Sequence, residues 1–228
     1  MPITFAVLGG DSRQRYLAEY LLYNEYNICT FRVAGMDDMG SWQDADVILL
    51  PVPALDAEGN IRGTDLRLSD LPAGAAVFGG KLPPNAGTDL LLRETYAEAN
   101  AVPTAEGAIQ IAMENLPITL AGGKFLVAGA GRIGFCLGQK LAALGASVTV
   151  SARKLWDYAR ILAAGLRYDE TGVWAAGLGE YDAVFNTVPT PIFTREQIEQ
   201  TKPDCLFVEL ASAPYGIPAE LCAACGRR

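Results

Sequence analysis

Phe125-Leu126-Val127-Ala128-Gly129-Ala130-Gly131-Arg132-Ile133-Gly134 is the stretch that decides the fold. Its apolar start reads as a buried strand, and Arg132 to Leu144, closed by Gly145, reads as a helix. Between them stands G-x-G-x-x-G. With 24 glycines in the chain the spacing alone is weak. Its position between a strand and a helix gives it meaning as a dinucleotide-binding turn. Gly129 would allow the tight turn, Gly131 would let the backbone approach a pyrophosphate, and Gly134 would let helix and strand pack closely. The amides of Ala130, Arg132 and Ile133 lie at the helix start, where the positive dipole end favours an anion.

Further along, the pattern continues. Ser147 to Val150 reads as a strand, Leu155 to Ala164 as a helix, Leu166 to Tyr168 and Ala183 to Phe185 as strands, Arg195 to Gln200 as a short helix, and Leu206 to Leu210 as a strand. The end of the second strand tests the cofactor. An acid there binds the ribose diol of NAD. Ser151-Ala152-Arg153-Lys154 stands there instead. A hydroxyl and two cations suit a 2′-phosphate, so NADP is expected, on Ser151, Arg153 and Lys154. Asn186, Thr187 and Pro189 end one strand and Ser212 follows another, where open α/β sheets bind ligands, so these are expected beside the nicotinamide.

Upstream, Ile3 to Leu8 reads as a strand, Arg13 to Tyr23 as a helix, and Asn27 to Val33, Asp46 to Leu50 and Ala75 to Phe78 as strands. Residues 54 to 74 read as a long loop and Thr88 to Asn100 as a helix. Thr104 to Leu116 reads as a connecting helix, with Pro117 marking its end. The expected fold class is α/β: two Rossmann-like doubly wound domains with mainly parallel sheets. The expected division is 1–116, a flavodoxin-like substrate domain with the connector, and 117–228, the NADP-binding domain. The first domain lacks G-x-G-x-x-G, so its expected role is substrate binding and catalysis. Arg13 and Lys81 would bind carboxylates, and Lys81 or Glu106 would move a proton.

Composition excludes other classes. There is no histidine, so histidine-ligated zinc, a Ser-His-Asp triad and histidine acid–base catalysis are out; no metal site is expected. A formal net charge of −8 makes nucleic acid and membrane surfaces poor partners. Met1-Pro2-Ile3-Thr4 carries no signal pattern and no window suits a bilayer span, so a cytoplasmic location is expected. Cys222 and Cys225 form a C-x-x-C that reads as chance spacing in an alanine-rich helix.

Several segments together resemble the A-subunit family of dipicolinate synthase from spore-forming bacteria. They are Val7-Leu8-Gly9-Gly10-Asp11-Ser12-Arg13-Gln14, Pro103-Thr104-Ala105-Glu106-Gly107, Gly129 to Gly134, Ala142 to Val148, Ala152-Arg153, Asn186-Thr187-Val188-Pro189 and Leu210-Ala211-Ser212-Ala213-Pro214. The resemblance implies NADP-dependent oxidation of dihydrodipicolinate, a small ring dicarboxylate, to dipicolinate in the mother cell during sporulation. It also implies partnership with a flavoprotein-like B subunit, and assembly into an oligomer. It implies a further strand and a long helix beyond Cys225-Gly226-Arg227-Arg228, so the second domain is expected to be a truncated one whose open sheet edge a partner or a second copy covers. Two other readings fit the residues: a different NADP-dependent dehydrogenase on this architecture, shikimate-type or amino-acid-type, and a non-catalytic NADPH-binding regulatory subunit.

Overall fold

The structure, a computed structural model, describes residues 2–174 and 177–228. The chain divides into two units, Met1–Ala97 and Glu98–Arg228, each built on a sheet of five parallel strands.

In the first unit, β1 (Thr4–Leu8), β2 (Asn27–Phe31), β3 (Val47–Leu49), β4 (Ala76–Gly79) and β5 (Thr88–Asp89) stand in the order β2-β1-β3-β4-β5, the flavodoxin-like order. Side chains alternate across β1. Val7 joins Ala18 and Leu21 of α1 (Ser12–Tyr23) on one face. Ala6 and Leu8 join Ile48, Ala54 and Ile61 on the other. That second face is covered by the loop expected at 54–74 rather than by a helix. The loop meets its own backbone needs: Asp56 Oδ1 accepts from the amides of Glu58 and Asn60 at 3.1 and 2.8 Å.

Two expectations fail between residues 88 and 116. Thr88 to Asn100 is not one helix. It begins as β5, turns through Leu90–Leu92, and becomes helical only at Glu94. Asp89 causes the break, its carboxylate accepting from the amides of Leu91 at 2.9 Å and Leu82 at 3.2 Å. The connecting helix, α2, runs Glu94–Asn115 with Pro103 inside it. An interior proline costs about 3 kcal/mol. Ala101, Ala105, Ala108 and Ala112 offset it by forming a fully buried stripe at helical spacing. The division at 97/98 therefore falls inside α2 and not after Leu116, because Ala105, Ala108 and Ala112 of the stripe pack into the core of the second unit.

The second unit comprises β6 (Lys124–Ala128), α3 (Arg132–Ala143), β7 (Ser147–Ala152), α4 (Leu155–Ala163), β8 (Arg167–Glu170), β9 (Ala183–Asn186), α5 (Arg195–Glu199), β10 (Leu206–Glu209) and α6 (Ala219–Ala224). The strand order is β10-β9-β6-β7-β8, a dinucleotide-binding arrangement whose order reverses between β6 and β9. Both central strands are buried on both faces. Phe125 and Val127 meet Leu137 and Leu141 of α3, while Leu126 and Ala128 meet Tyr181 and Ile198. Phe125 packs edge-on against Phe185 with ring centroids 6.0 Å apart. Among the described residues, no helix is long and apolar enough to cross a membrane.

Candidate functional site

The glycine turn lies at the reversal point of the second sheet, where Ala128 of β6 is level with Asn186 of β9. Open α/β sheets bind ligands in the crevice at the carboxyl ends of such strands. The three glycines of the motif have different reasons to be glycine. Gly129 has φ +100°, and a Cβ there would stand 2.4 Å from Thr187 Oγ1. A Cβ on Gly134 would stand 2.0 Å from the Gly129 carbonyl oxygen. A Cβ on Gly131 would meet nothing within 4 Å. Folding thus requires the first and last, while the middle one leaves open space at the start of α3. The first helical bond runs from Phe135 N–H to Gly131 O at 2.9 Å, so the amides of Ile133 and Gly134 have no acceptor inside the helix. Gly131 caps α3 with no side chain. Open space above amides at a twelve-residue helix start fits the pyrophosphate of a dinucleotide.

Around this turn the expected residues separate. Thr187 donates both its amide and its hydroxyl to Ala128 O, each at 2.9 Å, which seats it against Gly129. Pro189 and Ser212 are exposed on the loops after β9 and β10. Arg153 and Lys154 are exposed at the end of β7, and among the described residues neither makes an ion pair. Arg153 lines a cleft of about 490 Å³ with Thr171, Thr190, Phe193 and Thr194, at the carboxyl ends of β7 to β9. Arg132 is exposed at the start of α3, and Ala130 is buried.

Two expected cofactor contacts do not survive. Ser151 is fully buried, its hydroxyl 2.9 Å from that of Thr171; β7 is covered on both faces, so a polar side chain there bonds within the protein. Asn186 is also fully buried, and its amide is spent. Nδ2 donates to Glu209 at 2.8 Å and to Val188 O at 2.9 Å, while Oδ1 accepts from Val188 N–H at 3.0 Å.

Two residues not expected from the sequence belong to the site's frame. Glu209, half-buried at the end of β10, accepts from Asn186 and from the amides of Ala211, Gly216 and Ile217 at 2.7 to 2.9 Å. The guanidinium of Arg160 lies 3.7 Å over the Phe135 ring and donates to Ala130 O at 3.5 Å, tying α4 to the turn. An amphipathic reading of α4 could have flagged Arg160. Glu209 has no sequence signal, because three of its donors are backbone amides.

Glu106 is not at the turn. It lies in the middle of α2 and pairs at 2.8 Å with Lys140, in the last turn of α3, far from that helix's start. The carboxylate pushes the Lys140 ammonium up from its ordinary pKa. The expectation failed because Glu106 was taken to open a helix that begins at Glu94. Thr104, two residues before it on α2, donates back to Asn100 O at 2.7 Å.

In the first unit, the ends of β1, β3 and β4 come together. Asp11 caps α1, accepting from Arg13 N–H at 3.0 Å. The Arg13 guanidinium binds the same carboxylate at 3.0 and 2.8 Å and donates to Val52 O at 3.1 Å. The hydrogen bonds from Arg13 hold the Asp11 carboxyl down to about 2. Arg13 was expected to be a carboxylate ligand, and Asp11 already fills that role's place as its counterion. Gly80 approaches Val52 so closely that a Cβ would stand 2.6 Å from Val52 Cγ1. Next to it Lys81 is exposed, with φ +55°, a left-handed conformation that costs a side-chain-bearing residue about 1 kcal/mol or more. Among the described residues Lys81 makes no ion pair, so it is an uncompensated cation at this corner. On α6 the Cys222 thiol is buried and pushed up to about 11 by that burial, which leaves it protonated and unreactive.

Residues 4–88 match the family described as the N-terminal domain of the dipicolinate synthase A subunit. The chain is 29% identical to the dipicolinate synthase A subunit of Bacillus subtilis (strain 168), over 94% of this chain and 82% of that protein. The crystal structure of the dipicolinate synthase A subunit from Bacillus halodurans superposes with a TM-score of 0.86 at 25% identity, covering 99% of this chain and 88% of that one. A transhydrogenase from Sinorhizobium meliloti shares the fold, with a TM-score of 0.66 at 20% identity over 90% of this chain and 68% of that one. A D-lactate dehydrogenase from Salmonella shares the fold as well, with a TM-score of 0.58 at 14% identity over 97% of this chain and 74% of that one. Residues 4–88 are thus similar to the N-terminal domain of the dipicolinate synthase A subunit, and over nearly its whole length the chain resembles the A subunits of that enzyme.

Proposed function

We propose that this chain works as the A subunit of a dipicolinate synthase, an oxidoreductase that takes dihydrodipicolinate to dipicolinate with NADP, in company with a B subunit. The observation that carries the reading is the open turn at Gly131, set at the reversal point of the sheet, in a chain that resembles dipicolinate synthase A subunits along its length. Bound NADP would supply the acceptor for a hydride.

In this reading the amides of Ile133 and Gly134 hold the pyrophosphate, with Ala130 and Arg132 beside them. Arg153 and Lys154 hold the 2′-phosphate, and Arg153 can do so in a bidentate manner. These two cations carry the preference for NADP over NAD, since Ser151 is withdrawn into the sheet. Thr187, Pro189 and Ser212 flank the nicotinamide. The substrate loses a hydride and a proton as its ring becomes aromatic. Lys81 Nζ holds one ring carboxylate. An ammonium has three donors and no lone pair, so while charged it cannot also take the proton, which passes to water. Arg13 orients through Asp11 rather than binding the second carboxylate as a bare cation.

The test is a direct assay. The full chain with its B subunit, dihydrodipicolinate and NADP should form NADPH and dipicolinate in equal amounts. With Lys81→Ala, KM for the dicarboxylate should rise about thirtyfold or more, the worth of one charge-assisted contact, while NADPH affinity stays within about twofold. Absence of NADPH formation by the wild-type pair would overturn the assignment, and an unchanged KM in the variant would remove Lys81 from the site.

A further inference from the structure

The structure assigns Glu209 as the positioning residue that fixes the two loops flanking the nicotinamide half of the dinucleotide; this rests on the dinucleotide reading above. A carboxylate offers about four lone-pair directions, and here neutral N–H donors fill them. Oε1 accepts from Asn186 Nδ2 at 2.8 Å and Ala211 N–H at 2.7 Å. Oε2 accepts from Gly216 N–H at 2.9 Å and Ile217 N–H at 2.8 Å, with Asn186 Nδ2 also within 3.0 Å. The charge is held by amides, which gives each bond more weight than a neutral pair would have.

The consequence is geometric. The Ala211, Gly216 and Ile217 amides belong to the segment after β10, which carries Ser212, so Glu209 pins both ends of that loop. Asn186 ends β9, and its other two bonds set Val188 and hence the loop that carries Thr187 and Pro189. Thr187 in turn is held on Ala128 O against Gly129. One carboxylate thus connects the end of β10, the end of β9 and the glycine turn. The junction is tight: a Cβ on Gly216 would lie 2.3 Å from Asn186 Nδ2 and 2.5 Å from Val188 O. No hydrogen bond of this network involves Arg153, and the network meets the cleft beside Arg153 through the bond from Ile192 N–H to Gly216 O at 3.2 Å. Glu209 therefore governs the nicotinamide half directly and bonds neither Arg153 nor Lys154, the residues read as holding the 2′-phosphate.

The experiment compares two probes on the full chain: NADPH, and adenosine 2′,5′-bisphosphate, which lacks the nicotinamide half. Glu209→Gln keeps the shape but turns a donor toward donors. Its NADPH affinity should fall about tenfold or more while bisphosphate affinity stays within about twofold. Glu209→Asp, which keeps the charge, should recover part of the loss. Gly216→Ala leaves the carboxylate in place, displaces the loop, and should give the same split; it decides the matter if Glu209→Gln does not fold. Equal losses for both probes, or no loss of NADPH affinity, would overturn the assignment. Wild-type protein that binds neither probe would instead overturn the dinucleotide reading beneath it.

Discussion

Each sheet sends its first strand through a glycine turn into a helix, and the two turns are in opposite states. After β1 the turn is closed. Gly10 N–H donates to Arg62 O at 2.7 Å, and a Cβ on Gly9 would lie 2.1 Å from that oxygen. Asp11 then supplies its own carboxylate to the start of α1. After β6 the turn is open: nothing approaches Gly131, and its helix start carries no side-chain cap. The same strand–turn–helix unit is complete in itself in one case and leaves its amides to an outside anion in the other. Glycine content alone does not distinguish them; what the neighbouring chain does with the space above each turn decides.

The largest effect that sharpens this contrast is expected inside the open turn. Gly134→Ala places a Cβ 2.0 Å from a backbone oxygen and should cost about 3 kcal/mol of stability, read from denaturant midpoints. Gly131→Ser, three residues earlier, should leave stability within about 0.5 kcal/mol, since serine caps a helix well, yet weaken NADPH binding about tenfold or more. Equal stability losses at both positions would break the distinction between packing and ligand glycines.

Next in size is the adenosine end. Arg153→Ala should reduce the ratio of NADPH to NADH affinity by about 2 kcal/mol, roughly thirtyfold, the worth of a charge-assisted contact. Competition binding reads it, and an unchanged ratio would move the 2′-phosphate elsewhere.

Much of this was legible in the sequence, and the failures share a cause. The strands were visible as apolar runs because both sheets are covered on both faces. That coverage is also why Ser151 and Asn186 misled: polarity at a strand end reads as ligand contact, but on a doubly covered strand a polar group is held by the protein itself. The helix was read as two, ending at Asn100 and restarting at Thr104, because the burial of Ala101, Ala105, Ala108 and Ala112 that joins them is tertiary. Moving the start of α2 back to Glu94 took Glu106 out of the site with it. Glu209 was invisible, as three of its donors are backbone amides made available by the loop's course.

The smallest expected effect lies in the closed turn. Asp11→Ala should cost about 1 kcal/mol as a lost helix cap and should give no gain in phosphate binding, because Arg62 still covers Gly9 and Gly10. The Asp11 carboxyl is lowered from 3.8 to about 2 in the folded chain. A depressed carboxyl stabilises above its unfolded pKa, so the wild-type advantage should be full above pH 3.8 and fade as pH falls through about 2. A pH-independent difference would contradict the Arg13 pairing.

The account depends most directly on what the open turn holds, and titration calorimetry of the full chain with NADPH and NADH measures it. The expected result is one site that takes NADPH with a Kd below about 100 µM and NADH at least about tenfold more weakly. Heat from neither dinucleotide at millimolar concentration, with the protein folded, would contradict it.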